Sequence, residues 1–166
     1  MALGFLYGSG GGGSQPEPES KALIPTMTSD TTPSGVCFSS GAGSNTYAAW
    51  KAFDNSTSTY FLTPDNVAHA YIGYMANSPW VAKYLTYKSL NSGYDGSAAI
   101  SIKVQGSHDG STWDDLSNEV TLVGTSSGTI DFWANKTAYS SYRIYKTAGN
   151  RGMAVQEIQL YGYELI

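Results

Sequence analysis

The chain is poor in charged residues. Only 13% of its 166 residues are Asp, Glu, Lys or Arg, about half the usual share, and the formal net charge is −4. No stripe of basic residues is present, so nucleic acids and anionic membrane surfaces are disfavoured as partners. No apolar run approaches the length that a transmembrane helix needs, and we therefore expect no membrane insertion.

Cysteine and histidine are also scarce. The single cysteine, Cys37, excludes an internal disulfide, and its neighbours Val36 and Phe38 predict a small buried side chain rather than a reactive thiol. The two histidines are well separated and provide no nucleophile–base pair with this cysteine, and no paired acids lie in a recognisable catalytic motif. The sequence therefore predicts a protein that is not an enzyme.

Tyrosine and small hydroxyl-bearing residues take the place of charge. The chain contains 13 Tyr and four Trp, which favour strands over helices. A neutral surface rich in hydroxyl groups and tyrosine suits contacts with sugars or with other proteins. The same composition is typical of secreted or virion β-proteins that bind nothing in particular, so composition leaves both alternatives open.

The first 20 residues form a separate segment. The apolar peptide 1–7 is followed by a glycine-rich linker (8–14) and a stiffer spacer (15–20) that contains proline and glutamate. The peptide is too short for the apolar part of a signal peptide and lacks a basic start. We interpret it as an anchor that docks into a larger assembly; a cloning scar and a disordered tail are the alternatives. The predicted anchor residues are Leu3, Phe5, Leu6 and Tyr7.

The rest of the chain has the pattern of an all-β domain. Short apolar runs are broken by Gly, Ser, Asn and Asp, and Ile100, Ile102 and Val104 alternate with polar residues, as in a strand with one solvated face. About eight strands without a convincing amphipathic helix predict an antiparallel sandwich or jelly roll. The predicted strands lie near 36–40, 68–75, 81–88, 98–106, 119–123, 128–133, 141–147 and 154–163. We place this domain at 36–166, after a lead-in segment at 21–35.

The segment 50–61 (WKAFDNSTSTYF) is a candidate metal site. Asp54 follows the apolar residue Phe53 and precedes a run of residues with side-chain oxygens. A hard cation such as calcium takes about six to eight oxygen ligands, and this loop supplies several of them. The alternative is a polar turn between two strands, in which Asp54 makes an Asx-turn.

The segment 107–113 (SHDGSTW) predicts a tight turn. Asp109 and Gly110 lie between extended segments, and an Asp-Gly pair there favours a reversal with positive φ. We expect Trp113 to fold back as an apolar lid and His108 to be exposed on the turn. These residues therefore have a predicted structural role.

Five segments, in this order, resemble those of discoidin domains. They are AAWKAFDN (48–55), the strand around Tyr84, QGSHDGSTW (105–113), SYRIY (141–145) and VQEIQLYGY (155–163). This family, also called the coagulation-factor type C domains, shares its fold with galactose-binding-like carbohydrate-binding modules. The resemblance implies an eight-stranded antiparallel jelly-roll β-sandwich, here with an extended N-terminal arm. The lead-in 24–36 is also similar to that of such modules in phage tail and receptor-binding proteins.

Many members of this family hold a structural calcium ion beside their ligand loops. The implied ligands here are the carboxylates of Asp54 and Glu157 and the carbonyl or hydroxyl oxygens of Lys51, Ser56, Thr59 and Gln156. Such a mixture of charged and neutral oxygens suits Ca²⁺. Asn55 stands where the family has glycine, and asparagine tolerates left-handed backbone. The alternative is that Asp54 caps its own loop without metal while Glu157 binds Lys51.

Sugar-binding members use loops at one end of the sandwich. An aromatic ring stacks on the sugar, and His, Arg or Asn contacts its hydroxyl groups. The corresponding loops here lie near 41–47, 60–69, 89–97 and 148–153, and the candidate ligand-binding residues are Tyr47, His69, Tyr94, Asn150 and Arg151. A structural role is the alternative for each: His69 ends a solvated strand, for example, and Arg151 braces its loop. The family's sugar-contacting arginine has no match in 96–98, so galactose specificity is not implied.

These expectations combine into one functional hypothesis. The protein is a non-catalytic module that binds a surface glycan, contains structural calcium and is joined through residues 1–20 to other virion proteins, as a homo-oligomer or in many copies. The expected location is a phage virion, with an extracellular location as the alternative. The alternative functions are a structural virion protein without a glycan ligand and a secreted discoidin domain that binds protein or lipid, although the acidic balance disfavours anionic lipid.

Overall fold

Nine strands and two short 3₁₀ helices make up the structure, a computed structural model that describes residues 17–91 and 99–165. The strands are β1 (Lys21–Ala22), β2 (Val36–Ser39), β3 (Phe61–Leu62), β4 (Tyr71–Asn91), β5 (Ala99–Ser107), β6 (Asp114–Asp115), β7 (Val120–Asp131), β8 (Tyr139–Ala148) and β9 (Ala154–Glu164). The 3₁₀ helices are Asn45–Tyr47 and Ala49–Ala52. The predicted anchor residues and Tyr94 lie outside the described residues. No helix within the described ranges is long and apolar enough to cross a membrane.

Two long strands, β4 and β7, contribute to both layers of a sandwich. In one layer the first part of β4 pairs with β2 and β8, and β5 pairs with β8 and with the start of β7. In the other layer the second part of β4 pairs with β9 and with the rest of β7, and β1 extends this layer beyond β9. All of these pairings are antiparallel, so the predicted all-β sandwich is confirmed.

The prediction of separate strands is wrong at two places. The strands predicted near 68–75 and 81–88 are the single strand β4, and those predicted near 119–123 and 128–133 are the single strand β7. The pairing register of β4 with β8 shifts between Met75 and Trp80, a stretch in which Pro79 has no N–H group to donate. Gly124, with φ of 60°, lies where β7 leaves β5 and joins β4. These residues bend a continuous strand rather than reverse it.

Apolar side chains from the inward faces of both layers form the core. Ile100 and Ile102 are no more than 1% exposed, as the alternating pattern of β5 predicts. Trp80 is 6% exposed and stacks on Tyr74, with ring centroids 5.6 Å apart. Cys37 is also buried, and burial raises the pKa of its thiol to about 12. The cysteine is therefore a core residue, as predicted, and its thiol stays protonated.

The predicted turn at 107–113 is present. Gly110 has φ of 73°, and the carboxylate of Asp109 accepts hydrogen bonds from the backbone N–H groups of Ser111 and Thr112 at 2.8 Å each. These bonds favour the ionised form and hold the pKa of Asp109 well below its usual range. The turn places Trp113 back over the outer surface of the layer that contains β8.

The hydroxyl group of Tyr142 holds β4 where this strand passes between the layers. It donates to the carbonyl oxygen of Trp80 at 2.5 Å and accepts from the backbone N–H of Ala82 at 3.2 Å. Tyr142 is only 2% exposed, so water cannot replace these bonds. Burial raises the pKa of this hydroxyl to about 12, which keeps it protonated as a donor.

We predict that Tyr142→Phe lowers the free energy of unfolding by about 1–3 kcal/mol, because a buried carbonyl and a buried N–H lose their partner. Urea denaturation measures this loss. Tyr145→Phe is the matched control: Tyr145 is on the same strand and its hydroxyl has no hydrogen-bond partner among the described residues. Equal unfolding midpoints for the two variants would contradict the role of Tyr142.

Candidate functional site

The loop that follows the second 3₁₀ helix folds around Asp54. One carboxylate oxygen accepts from the backbone N–H of Ser56 at 3.0 Å, and the other accepts from the hydroxyl of Thr59 at 2.5 Å. Asn55 has φ of 55°, the left-handed conformation that asparagine tolerates. Asp54 therefore caps its own loop, which the metal-free alternative requires and a metal site does not exclude.

Glu157 on β9 faces this loop from about a hundred residues further along the chain. Its Oε2 atom is buried and has no hydrogen-bond partner. Burial and the negative charge of Asp54 raise the pKa of Glu157 to about 8, and backbone N–H groups of Asn55 and Ser56 offset only part of this effect. We call Asp54 and Glu157 the carboxylate pair.

Two of the remaining predicted ligands, Gln156 and Lys51, make side-chain hydrogen bonds to backbone carbonyls. The side-chain N–H of Gln156 donates to the carbonyl of Thr57 at 2.5 Å, while Gln156 Oε1 is buried without a partner. The ammonium group of Lys51 donates to the carbonyl of Thr46 at 2.7 Å and makes no ion pair with Glu157. The pairing of Glu157 with Lys51 that the metal-free alternative predicted is therefore wrong.

The donor set fits a calcium ion. No cation of the described residues pairs with Glu157, and burial together with repulsion by Asp54 raises the pKa of Glu157. A bound cation would remove the repulsion. The partnerless oxygens of Gln156 and Glu157 also require an interaction. The described residues contain no group of three or more His, Cys, Asp or Glu side chains suited to a metal, so neutral oxygens must complete the coordination, as calcium allows.

Two of the predicted ligand-binding residues, Tyr47 and Arg151, contact other side chains of the domain. Tyr47 packs against Tyr60, with ring centroids 4.9 Å apart. Arg151 lies 3.7 Å from the carboxylate of Asp65, which also accepts from the backbone N–H of Gly152 at 2.7 Å. These contacts match the alternative in which Arg151 braces its loop.

Asn150 and Lys146 support the same loop. The carbonyl of Asn150 accepts from the backbone N–H of Asn66 at 2.9 Å. Lys146 is completely buried beneath the loop, and its ammonium group donates to the carbonyl of Arg151 at 2.7 Å. Burial lowers the pKa of Lys146. The backbone carbonyls of Asn150 and Arg151 therefore hold the loop in place.

His69 lies at the border of an aromatic surface that sequence reasoning missed. Its ring stacks on Tyr145 at 5.8 Å with an interplanar angle of 4°. Three rings then surround the guanidinium carbon of Arg143, which lies 3.9 Å from the ring centroid of Trp113, 4.7 Å from that of Tyr145 and 5.0 Å from that of Tyr71. We call this surface, with Gln105, the arginine face.

Hydrogen bonds fix the guanidinium of Arg143 on one side. Its Nε–H donates to Gln105 Oε1 at 2.7 Å, and the amide nitrogen of Gln105 donates to Asp115 at 2.7 Å. Asp115 is itself paired with Lys103 at 2.6 Å. The two terminal nitrogens of Arg143 donate to no described residue. Partial burial among the rings lowers the pKa of Arg143. A guanidinium still remains protonated in proteins, so Arg143 is cationic, and its contacts fix its orientation.

One sequence signal points to this surface. Arg143 and Tyr145 alternate with the inward residues Tyr142 and Ile144, which places both on the outward side of β8. Lys103 and Gln105 hold the same position on β5, and the pairing register sets Gln105 opposite Arg143. The alternation is visible in the sequence, but the register between β5 and β8 is not.

Solved structures with the same fold include carbohydrate-binding modules. The F5/8 type C domain of a Bacteroides fragilis protein has a TM-score of 0.68 and 15% identity, over 89% of this chain and 99% of that one. Chitosan-binding module 1 of a chitosanase/glucanase from Paenibacillus sp. IK-5 has a TM-score of 0.64 and 19% identity, over 77% and 95%. A pectin-binding carbohydrate-binding module has a TM-score of 0.63 and 12% identity, over 84% and 91%.

The similarity to these solved structures identifies the fold of the chain. No protein-family model matches the chain, and no curated protein matches it. The chain has the β-sandwich of the F5/8 type C, or discoidin, domains, which carbohydrate-binding modules share. The resemblance found in the sequence is therefore confirmed for the fold.

We predict that Asp54→Ala lowers the melting temperature more in calcium, where it removes one of the two charged ligands, than in chelator, where it removes only the hydrogen bonds from Ser56 and Thr59. Thermal unfolding of the variant and of the unmodified protein, each in calcium and in chelator, measures this effect. Asp65→Ala is the control, because this carboxylate contacts Arg151 and is not a predicted calcium ligand, so its effect should not depend on calcium. Equal losses for Asp54→Ala in calcium and in chelator would contradict the metal site.

Proposed function

We propose that the protein is a non-catalytic carbohydrate-binding module whose arginine face binds a glycan. The observation that carries this proposal is the guanidinium of Arg143, held between three rings with both terminal nitrogens open. A planar guanidinium donates to two oxygens at once, and paired sugar hydroxyls or a sugar carboxylate present oxygens in this way. The chitosan-binding and pectin-binding modules of the same fold support the choice of a glycan.

The rings around Arg143 provide the second part of the recognition. Tyr71, Trp113 and Tyr145 are all partly exposed, and aromatic rings offer an apolar surface at little conformational cost. The C–H face of a sugar ring packs on such a surface while its hydroxyl groups reach Arg143 and His69. One bound sugar therefore satisfies both the apolar and the polar groups of the face.

Calcium has a structural role in this proposal. The carboxylate pair, Gln156 and the oxygens of the 50–61 loop would hold the ion, which supplies the positive charge that the pair lacks. The loop is thereby joined to β9, the last strand. The partnerless oxygens of Gln156 and Glu157 support this part of the proposal.

Attachment to a larger assembly, a virion, remains part of the proposed function. Glu17, at the start of the described chain, pairs with the buried Lys83 at 2.8 Å and with Lys136. This contact fixes the start of the described chain on the domain, which supports the proposal that the preceding residues present a docking peptide. Several copies on one particle would turn weak sugar affinity into avidity.

We predict that Arg143→Ala weakens glycan binding by about tenfold or more, as expected for a central interface residue. Arg143→Lys should recover only part of the affinity, because an ammonium group lacks the planar fork. Binding is first found on a glycan array with a multimerised protein and is then measured by calorimetry.

Lys88→Ala is the charge-matched control for Arg143→Ala. Lys88 lies on the second part of β4, in the other layer, and its loss should leave the affinity unchanged. The proposal is wrong if the multimer binds no glycan, or if Arg143→Ala binds as tightly as the unmodified protein.

A further inference from the structure

An open groove lies at the edge of the sandwich, next to the arginine face, because its lining residue Asp115 accepts a hydrogen bond from Gln105. β7 pairs with β5 only through its first residues, Val120 to Val123, and then pairs with β4. The two layers therefore separate beyond this point, and an open space of about 900 Å³ lies between the segments 115–119 and 131–134. We call this space the edge groove; its volume lies within the range of small-molecule sites.

The edge groove contains an exposed tryptophan. Trp133 is 55% exposed, although a ring of this size favours burial. Its ring rests on Tyr84 at 5.2 Å, and Tyr84 stacks on Tyr161 at 4.6 Å with an interplanar angle of 5°. This row of three rings fixes the orientation of the indole and leaves much of its surface to solvent.

The charges of the edge groove are mainly negative. Lys103, the only cation among its lining residues, is neutralised by Asp115 at 2.6 Å. Two further carboxylates remain: that of Glu119, which accepts from the hydroxyl of Thr147 at 2.6 Å, and that of Asp131, which has no hydrogen-bond or ion-pair partner among the described residues. The groove thus joins an open indole to uncompensated negative charge.

We propose that the edge groove is a second binding site, specific for an oligosaccharide of amino sugars with free amino groups. An indole takes both the flat C–H face of a sugar ring and a cation, since ammonium groups are attracted to its π-face. Glu119 and Asp131 supply the complementary charge for protonated amines. A cationic peptide would satisfy the charges but lacks the rigid ring faces that match the indole.

A short oligomer of β-1,4-linked glucosamine is the probe, compared with its N-acetylated counterpart by calorimetry at a pH at which the amines are protonated. Trp133→Ala should weaken binding of the glucosamine oligomer about tenfold or more. Asp131→Asn should weaken binding of the glucosamine oligomer but not of the N-acetylated one, and added salt should weaken the former because it screens exposed charges. Val123→Ala, which alters another apolar residue that is 55% exposed but lies on β7, should change nothing.

The outcomes separate this site from the arginine face. Binding of the glucosamine oligomer that persists in Arg143→Ala and is lost in Trp133→Ala supports the edge groove. The reverse pattern overturns the edge groove and leaves glycan binding by the arginine face intact. Equal affinities for Trp133→Ala and Val123→Ala also overturn it, as does binding of an oligolysine peptide without binding of the sugar. Thermal unfolding of each variant checks that the fold is retained.

Discussion

The sandwich depends on the passage of β4 from one layer to the other without a break. This strand pairs with β8 in one layer and with β9 and β7 in the other, so its path connects the two layers. The hydroxyl of Tyr142 holds the backbone at the bend. Because neighbouring residues of a strand point to opposite sides, the inward position of Tyr142 fixes Arg143 on the outer surface. The alternation along β8 thus places Tyr142 in the core and Arg143 on the proposed glycan-binding surface.

Much of the fold follows from local patterns, and the site does not. Alternation identifies the inward residues of β5 and β8, and the left-handed tolerance of asparagine explains the turn at Asn55. The bend of β4 was missed because Pro79 signals a break in any local pattern, and only tertiary pairing shows that the strand continues. The arginine face was missed for a related reason. Its rings come from segments as distant as Tyr71 and Trp113, and only the sheet register brings them to Arg143.

Because the chain has few charged residues, those without a counter-ion are informative about its function. In the described residues, Lys83 pairs with Glu17 and Lys103 with Asp115, as expected where burial or close contact makes an unpaired charge costly. Charges without an ion-pair partner include the carboxylate pair, Arg143 on the arginine face, and Glu119 and Asp131 in the edge groove. The buried Lys146 also lacks one, and its ammonium group donates instead to the carbonyl of Arg151. An oriented charge without a counter-ion lowers the stability of the protein. We attribute the presence of the charges in the carboxylate pair, on the arginine face and in the edge groove to an external ligand of opposite charge or matching polarity.

The two proposed glycan surfaces are linked through Asp115. Its carboxylate holds Lys103 at the edge groove and, through Gln105, the guanidinium of Arg143. A protonated amine in the groove competes with Lys103 for the local negative charge, whereas an anionic group at the arginine face is attracted to the same cations. A cation at one surface and an anion at the other therefore favour each other, within the limits of screening by salt. By linkage, the preference is mutual. A polysaccharide that carries both kinds of charge would gain from this arrangement more than a neutral one.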